Sequence, residues 1–245
     1  MAFYGFEQVE DLVKTKRVHD LFARVTNSYD LMNDVMSLGV HRFWKDAFIK
    51  KLDMHENAEI LDVASGTGDI AQGMIKEFSF LNPHVTATDL TESMLLEGKR
   101  KGIDRGILGE IDYSVAYAEK LPFQDNCFDL YTIAFGMRNI GNIDNALREA
   151  YRVLKKGGRF YCLEFSKVQH PLFENAYHIY SDYVIPTLGK YIANDEKAYQ
   201  YLVDSIRTFP SQKEFVDKIT SVGFHDVNFE NLTNGVVAIH QGIKA

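Results

Sequence analysis

The stretch Leu61-Asp62-Val63-Ala64-Ser65-Gly66-Thr67-Gly68-Asp69 decides how the rest of the chain is read. The run 59–64 has the make-up of a strand, and the periodicity that begins at Asp69 predicts a helix to about residue 80. Between them lies a turn with two glycines, which lets the backbone adopt positive φ and come close to a ligand. In an open sheet of parallel strands such a turn lies at the carboxyl ends of the strands, where ligands bind.

Outward from this turn the alternation of strand and helix continues. Strands are expected at 84–89, near 111–116, at 128–134 and at 159–165, with helices from about 92 to 101 and from 143 to 154. Lys155-Lys156-Gly157-Gly158 reads as the end of the last of these helices, with basic residues in the final turn and glycine to stop it. Strands alternating with helices of this length imply right-handed crossovers and a parallel sheet. Residues 1–55 read as helices and turns without a strand pattern, and 167–222 as mostly helical. Two strand-like runs, 225–231 and 236–240, flank Thr233-Asn234-Gly235; Asn-Gly is a strong turn signal, so they are expected as an antiparallel pair added to the sheet edge. The chain is therefore expected to be a single domain, 1–245: a helical cap at 1–55, a ligand-binding core at 56–166, a helical segment at 167–222 and a strand pair at 223–245.

Composition narrows the classes. A chain of 245 residues is long enough for one α/β domain with a sizeable core. A net charge of −7 argues against a broad basic surface, and no nucleic-acid partner is expected. Cys127 and Cys162 lie in or beside strand-like runs without metal-ligand spacing; they read as reduced, buried thiols, and no metal site is expected. The first residues lack the basic leader and long apolar run of a signal peptide. No stretch reaches the length of a membrane span, so any membrane contact is expected to be peripheral.

The loop alone leaves two ligands open. A dinucleotide site shows G-x-G-x-x-G; here Gly66-x-Gly68 is followed by Ala71, which can fill the last place. Asp89 ends the second strand about 20 residues after Gly68, where a carboxylate suits bidentate bonding to ribose hydroxyls. NAD and S-adenosylmethionine fit these residues equally well, and an ordinary tight turn with an exposed Asp is the plain alternative. Three further segments discriminate: Ala118-Glu119-Lys120-Leu121-Pro122-Phe123, Phe128-Asp129-Leu130 and Arg152-Val153-Leu154-Lys155-Lys156-Gly157-Gly158. In this order and spacing, with the loop and Asp89, they resemble the signature of class I S-adenosylmethionine methyltransferases. That resemblance implies an α/β, Rossmann-like fold: a mostly parallel seven-stranded sheet with an antiparallel C-terminal strand pair, N-terminal helices, and a helical insertion before the last two strands.

A closer resemblance rests on Tyr29-Asp30-Leu31-Met32-Asn33-Asp34, on Ser37-Leu38-Gly39-Val40-His41-Arg42-Phe43-Trp44-Lys45, and on Phe135-Gly136-Met137-Arg138-Asn139. Leu163-Glu164-Phe165-Ser166-Lys167, Ala193-Asn194-Asp195, Tyr201-Leu202-Val203-Asp204-Ser205-Ile206-Arg207 and Gly235-Val236-Val237-Ala238-Ile239-His240 continue it. Over nearly the whole chain, from about Tyr4, the sequence is similar to the C-methyltransferases of ubiquinone and menaquinone biosynthesis. The resemblance implies S-adenosylmethionine as cofactor and a ring carbon of a polyprenyl benzoquinol or demethylmenaquinol as acceptor. It places cofactor contacts at Asp62, Gly66, Thr67, Gly68, Asp89, the Tyr117-Ala118 pair and Ala134. Two of these depart from the usual pattern, since an amide or acid commonly stands where Tyr117 is, and a serine where Ala134 is. Contacts there are expected to be apolar or through the backbone. The implied setting is cytoplasmic, peripheral to the inner face of the membrane, with a homodimer or a quinone-biosynthesis complex as possible assemblies. A methyltransferase for another small apolar acceptor and a noncatalytic cofactor-binding scaffold are the alternatives.

A ring carbon is a weak nucleophile until the neighbouring hydroxyl ionises and pushes charge onto it. The substrate is therefore expected to be the reduced quinol, and the protein to offer something that favours a phenolate. Arg138 is the first candidate, because a fixed cation stabilises the charged form; the competing reading is an arginine paired to a structural carboxylate. His41 and Tyr29 are further candidates for proton handling. Phe173, Tyr177, Tyr180, Tyr183 and Val184 have helical spacing, as core or as an apolar wall for the ring and its isoprenoid tail, with the N-terminal helices as a second wall.

Overall fold

Both faces of the central strands are apolar, so they must be covered on both sides. Along β3 (Glu59–Val63), Ile60 points to one core and Leu61 and Val63 to the other. β6 (Phe128–Ala134) repeats this with Leu130 against Tyr131 and Ile133. The computed structural model describes residues 1–26, 33–34, 37–107, 109–169 and 196–245. Tyr29, Phe173, Tyr177, Tyr180, Tyr183 and Val184 lie outside them.

Among the described residues a seven-stranded sheet runs in the order β5-β4-β3-β6-β7-β9-β8. It adds to β3 and β6 the strands β4 (His84–Asp89), β5 (Ile111–Val115), β7 (Leu154–Phe165), β8 (Phe224–Leu232) and β9 (Val237–Lys244). β3 to β7 pair in parallel, while β9 pairs antiparallel with both β7 and β8. One face is covered by α1 (Asp11–Val25), α2 (His41–Lys51), α3 (Asp69–Phe78) and α6 (Glu196–Thr208), which contribute Leu21, Phe48, Met74 and Leu202 to a shared core. The other is covered by α5 (Ile143–Val153) and α7 (Gln212–Ser221), through residues such as Leu147 and Phe215. α4 (Glu92–Asp104) touches β4 and β5. No helix among the described residues is long and apolar enough to cross a membrane.

Three expectations are corrected. Residues 1–55 do contain strands: β1 (Ala2–Tyr4) and β2 (Glu7–Val9) form an antiparallel hairpin closed by Gly5 at φ 61°. Three residues per strand are too few for an alternation to show. Second, Lys155-Lys156-Gly157-Gly158 is strand. The helix stops at Val153, and Leu154 already pairs with Phe128, because its apolar side chain goes into the core and Lys155 reaches Asp129 at 2.8 Å. Gly157, at φ 76°, lies in a bulge that carries the register from Phe128↔Leu154 to Leu130↔Arg159. Third, both cysteines are free, but only Cys162 is fully buried.

Candidate active site

The strand order reverses at β3 and β6, and there the chain leaves a crevice at the carboxyl ends of the strands. A cavity of about 730 Å³, including its mouth, opens at this point. The loops after β3, β4, β5 and β6 supply Gly66, Asp89, Tyr117, Ala118 and Gly136, and α1 closes one side with Thr15, Val18, His19 and Phe22. The N-terminal helix is thus one wall of the site.

Each loop is held by its own chemistry. Gly68, at φ 78°, opens α3, and its N–H donates to Ser65 O at 2.9 Å. Gly98 of α4 packs so closely that a Cβ there would lie 3.0 Å from the Thr67 carbonyl carbon. Asp89 ties two loops together: Oδ2 accepts from the Gly66 N–H at 2.9 Å and Oδ1 from the Thr91 N–H at 2.8 Å. Burial raises its carboxyl above the usual carboxylate range, against the pull of these two bonds. Asp62 lies deeper, with Oδ1 accepting from Thr132 Oγ1 at 2.8 Å, and burial raises it to about 6.

Of the residues expected to hold a cofactor, Gly66, Asp89, Tyr117 and Ala118 line the cavity. Asp62, Thr67, Gly68 and Ala134 are not part of its wall. Ala134 faces the larger core, and the residue after it, Phe135, lines the cavity instead. Phe135 (φ 56°) and Ala64 (φ 52°) are left-handed at the ends of adjacent strands, and a Cβ on Gly136 would lie 2.5 Å from that of Ala64. Such strained positions persist where the surroundings over-determine them, as at binding sites; nothing in local sequence announces them.

Two of the three catalytic candidates, His41 and Arg138, line a smaller recess beside this cavity together with Lys45, Phe135 and Phe165, while Tyr29 lies outside the described residues. Phe135 forms part of both walls. Its ring lies 5.0 Å from that of Phe165, and Trp44 meets Phe165 edge-on at 5.8 Å. Arg138 is 7% exposed and carries a carboxylate partner: Nη1 lies 2.7 Å from Glu164 Oε1 and donates to Phe135 O at 2.6 Å. Its own carbonyl accepts from Lys14 Nζ at 2.9 Å, and burial lowers that amine to about 8. His41 is equally enclosed. Glu164 and Asp34, the partners of these two side chains, lie in segments that carried the resemblance but were given no role there; the Arg138–Glu164 pair spans 26 positions and leaves no local signal.

Residues 10–244 match the model of the ubiE/COQ5 methyltransferase family. The chain belongs to that family. The ubiquinone/menaquinone biosynthesis C-methyltransferase UbiE of Rickettsia bellii is 48% identical over 243 residues, covering 98% of both chains. The human mitochondrial 2-methoxy-6-polyprenyl-1,4-benzoquinol methylase is 45% identical over 273 residues, covering 98% of this chain and 84% of that one. Among solved structures, Haemonchus contortus phosphoethanolamine N-methyltransferase 2 with S-adenosylhomocysteine has a TM-score of 0.67 at 16% identity, covering 93% of this chain and 60% of that one. A methyltransferase of Thermotoga maritima has a TM-score of 0.63 at 20% identity, covering 93% and 100%. The fold is that of the class I methyltransferases. As a member of the ubiE/COQ5 family, the chain is an S-adenosylmethionine-dependent C-methyltransferase.

The residues present fit that cofactor. Asp62 Oδ2 and Thr67 Oγ1 are buried beside the loop without a hydrogen-bond partner among the described residues, and Asp89 presents a carboxylate to the cavity. The Asp62 and Thr67 groups do not line the cavity themselves; Gly66, Asp89, Tyr117 and Ala118 do, and they are the residues that would meet the cofactor. Asp89→Ala should weaken S-adenosylhomocysteine binding by roughly 1.5–3 kcal/mol, the scale of a charge-assisted hydrogen bond. Calorimetric titration measures this; unchanged affinity in a folded variant would remove Asp89 from the site.

Proposed function

We propose that this family member methylates a ring carbon of a polyprenyl quinol, either a benzoquinol or demethylmenaquinol, in its reduced form. The observation that carries the reading is the aromatic recess beside the cofactor cavity. Phe135 and Phe165 line the recess, the Arg138 guanidinium lies over the Phe165 ring at 5.2 Å, and Phe135 forms part of both walls. The named relatives act in quinone biosynthesis, which supports a quinol as the ring in question.

When bound, S-adenosylmethionine supplies a methyl group on a sulfonium, whose carbon–sulfur electron pair stays on sulfur as the methyl leaves. The protein contributes alignment and electrostatics. The loop and Asp89 hold the cofactor, while Val18, Phe22 and Met94 present apolar surface that keeps water out of the cavity. In this reading Arg138 faces the developing phenolate. Its charge is largely answered by Glu164, so it acts as one end of a buried dipole. Tyr29, the other candidate, lies outside the described residues. The prenyl tail of such a substrate is a bilayer component, and the exposed Phe3, Phe6, Leu12 and Phe43 suit a peripheral meeting with a membrane surface.

Incubating the purified protein with S-adenosylmethionine and either reduced quinol tests the reading. The expected result is a ring-methylated product from at least one of them. Absence of product from both, with a cofactor-binding protein in hand, would overturn it. Cells lacking the protein should accumulate the demethyl quinone whose reduced form is the physiological acceptor.

A further inference from the structure

The recess holds a titratable group whose chemistry is still unassigned. His41 is the first residue of α2 and is 7% exposed. Its Nε2 lies 2.8 Å from Asp34 Oδ1, and the other oxygen of Asp34 accepts from Arg42 Nη2 at 2.7 Å. An acceptor-only carboxylate requires the N–H at Nε2, so Nδ1 carries the lone pair. That Nδ1 is buried and has no hydrogen-bond partner among the described residues. A buried acceptor without a donor costs free energy that a ligand hydroxyl would recover.

We infer that His41 Nδ1 is the base that takes the proton of the ring hydroxyl, and that Asp34 is a positioning residue that sets its tautomer. The inference rests on the quinol reading of the same site. The ring hydroxyl proton passes to Nδ1, giving imidazolium and phenolate. The phenolate electron pair moves onto the accepting ring carbon, which forms the new bond to the methyl group. That carbon then bears both hydrogen and methyl, and it loses the hydrogen as a proton to restore the aromatic ring. The proton from that carbon goes to solvent and the imidazolium returns its own to the product phenolate, so the methylated quinol leaves with one proton released overall.

The surroundings favour the neutral imidazole that this role needs. Burial holds it below the ordinary imidazole value, against the hydrogen bond to Asp34. The positive end of α2, which begins at His41, opposes a second positive charge. The charged groups around it are Asp34 with Arg42, Lys45 with its partner Asp69 at 2.7 Å, and Arg138 with Glu164. The neutral form is the active one. Activity is therefore full above the imidazole pKa and falls as pH falls through it, in a window below the ordinary value.

His41→Gln keeps an amide N–H for Asp34 and removes the base. Assayed on demethylmenaquinol with a short prenyl tail, its kcat should fall on the order of 10²-fold or more, the scale of one general base. The acid limb of its pH–rate profile should vanish, and alkaline solution, which ionises the ring hydroxyl unaided, should restore part of the rate. S-Adenosylhomocysteine affinity and the melting temperature should stay close to those of the parent. Asp34→Asn should lower kcat less and move the acid limb to lower pH, because the carboxylate that raises the imidazole pKa is gone. Near-parental kcat with the limb retained in His41→Gln overturns the assignment. So does a loss of rate matched by lost binding and lost stability, with the limb still present in the residual activity. If the parent enzyme itself methylates no quinol, the substrate reading falls and takes this one with it; if the parent methylates and His41→Gln equals it, only the base assignment falls.

Discussion

Arg138→Met should lower the stability of the protein by about 3–5 kcal/mol, the cost of leaving one partner of a buried ion pair alone. Glu164 is fully buried, and its only charged partner within 4.0 Å among the described residues is the Arg138 guanidinium. For a chain of this size the loss corresponds to a melting temperature lower by roughly 6–20 °C. Glu164 also accepts from the Phe165 N–H at 2.8 Å and the Arg138 N–H at 3.2 Å, so the companion change is Glu164→Gln, which keeps an acceptor there. The double variant removes the stranded charge and should recover most of the stability. Its kcat then reads the catalytic share of Arg138 free of misfolding. If the guanidinium favours the phenolate, kcat stays down on the order of 10²-fold, the scale of one preorganised donor, and rises again in alkaline solution. If Arg138 only holds the end of β6 against β7, the double variant turns over like the parent. Thermal melts and pH–rate profiles of the single and double variants separate the two roles.

The second large effect concerns the oxidation state of the substrate. A quinol should be methylated and the corresponding quinone should give no product above background. The quinone has no hydroxyl to ionise, so its ring carbon never gains the charge that attack on the methyl group requires. Paired anaerobic assays, one with a reductant and one with the oxidised compound, check this by product mass. Equal rates would refute the phenolate mechanism and, with it, the roles argued for Arg138 and His41.

Local sequence was enough for the sheet and for the glycine turn after β3 because both are written in short-range signals. The strand 128–134 was expected where β6 lies, since an apolar run bounded by turn residues needs no distant partner to be recognised. Gly66 and Gly68 mark a tight turn on their own, and Asp89 follows at a spacing set by one strand–helix–strand unit. The antiparallel C-terminal pair was legible from Asn234-Gly235 for the same reason. Where two local signals competed, the reading failed. Lys155-Lys156-Gly157-Gly158 has the composition of a helix end, but the side chain of Leu154 is pulled into the core beside Phe128, and the glycines serve a strand bulge.

What the tertiary structure alone decided is which side chains meet. Arg138 and Glu164 are 26 positions apart and form one buried pair, because β6 and β7 lie side by side. Asp34 bonds one ring nitrogen of His41, and among the described residues the other has no partner. Phe135, left-handed at the end of β6, lines both the cavity at the strand ends and the aromatic recess. No periodicity encodes these facts. Propensity and turn chemistry act over a few residues and so can be read from them, whereas charge pairing, close packing and the walls of a cavity depend on which elements the whole sheet brings together.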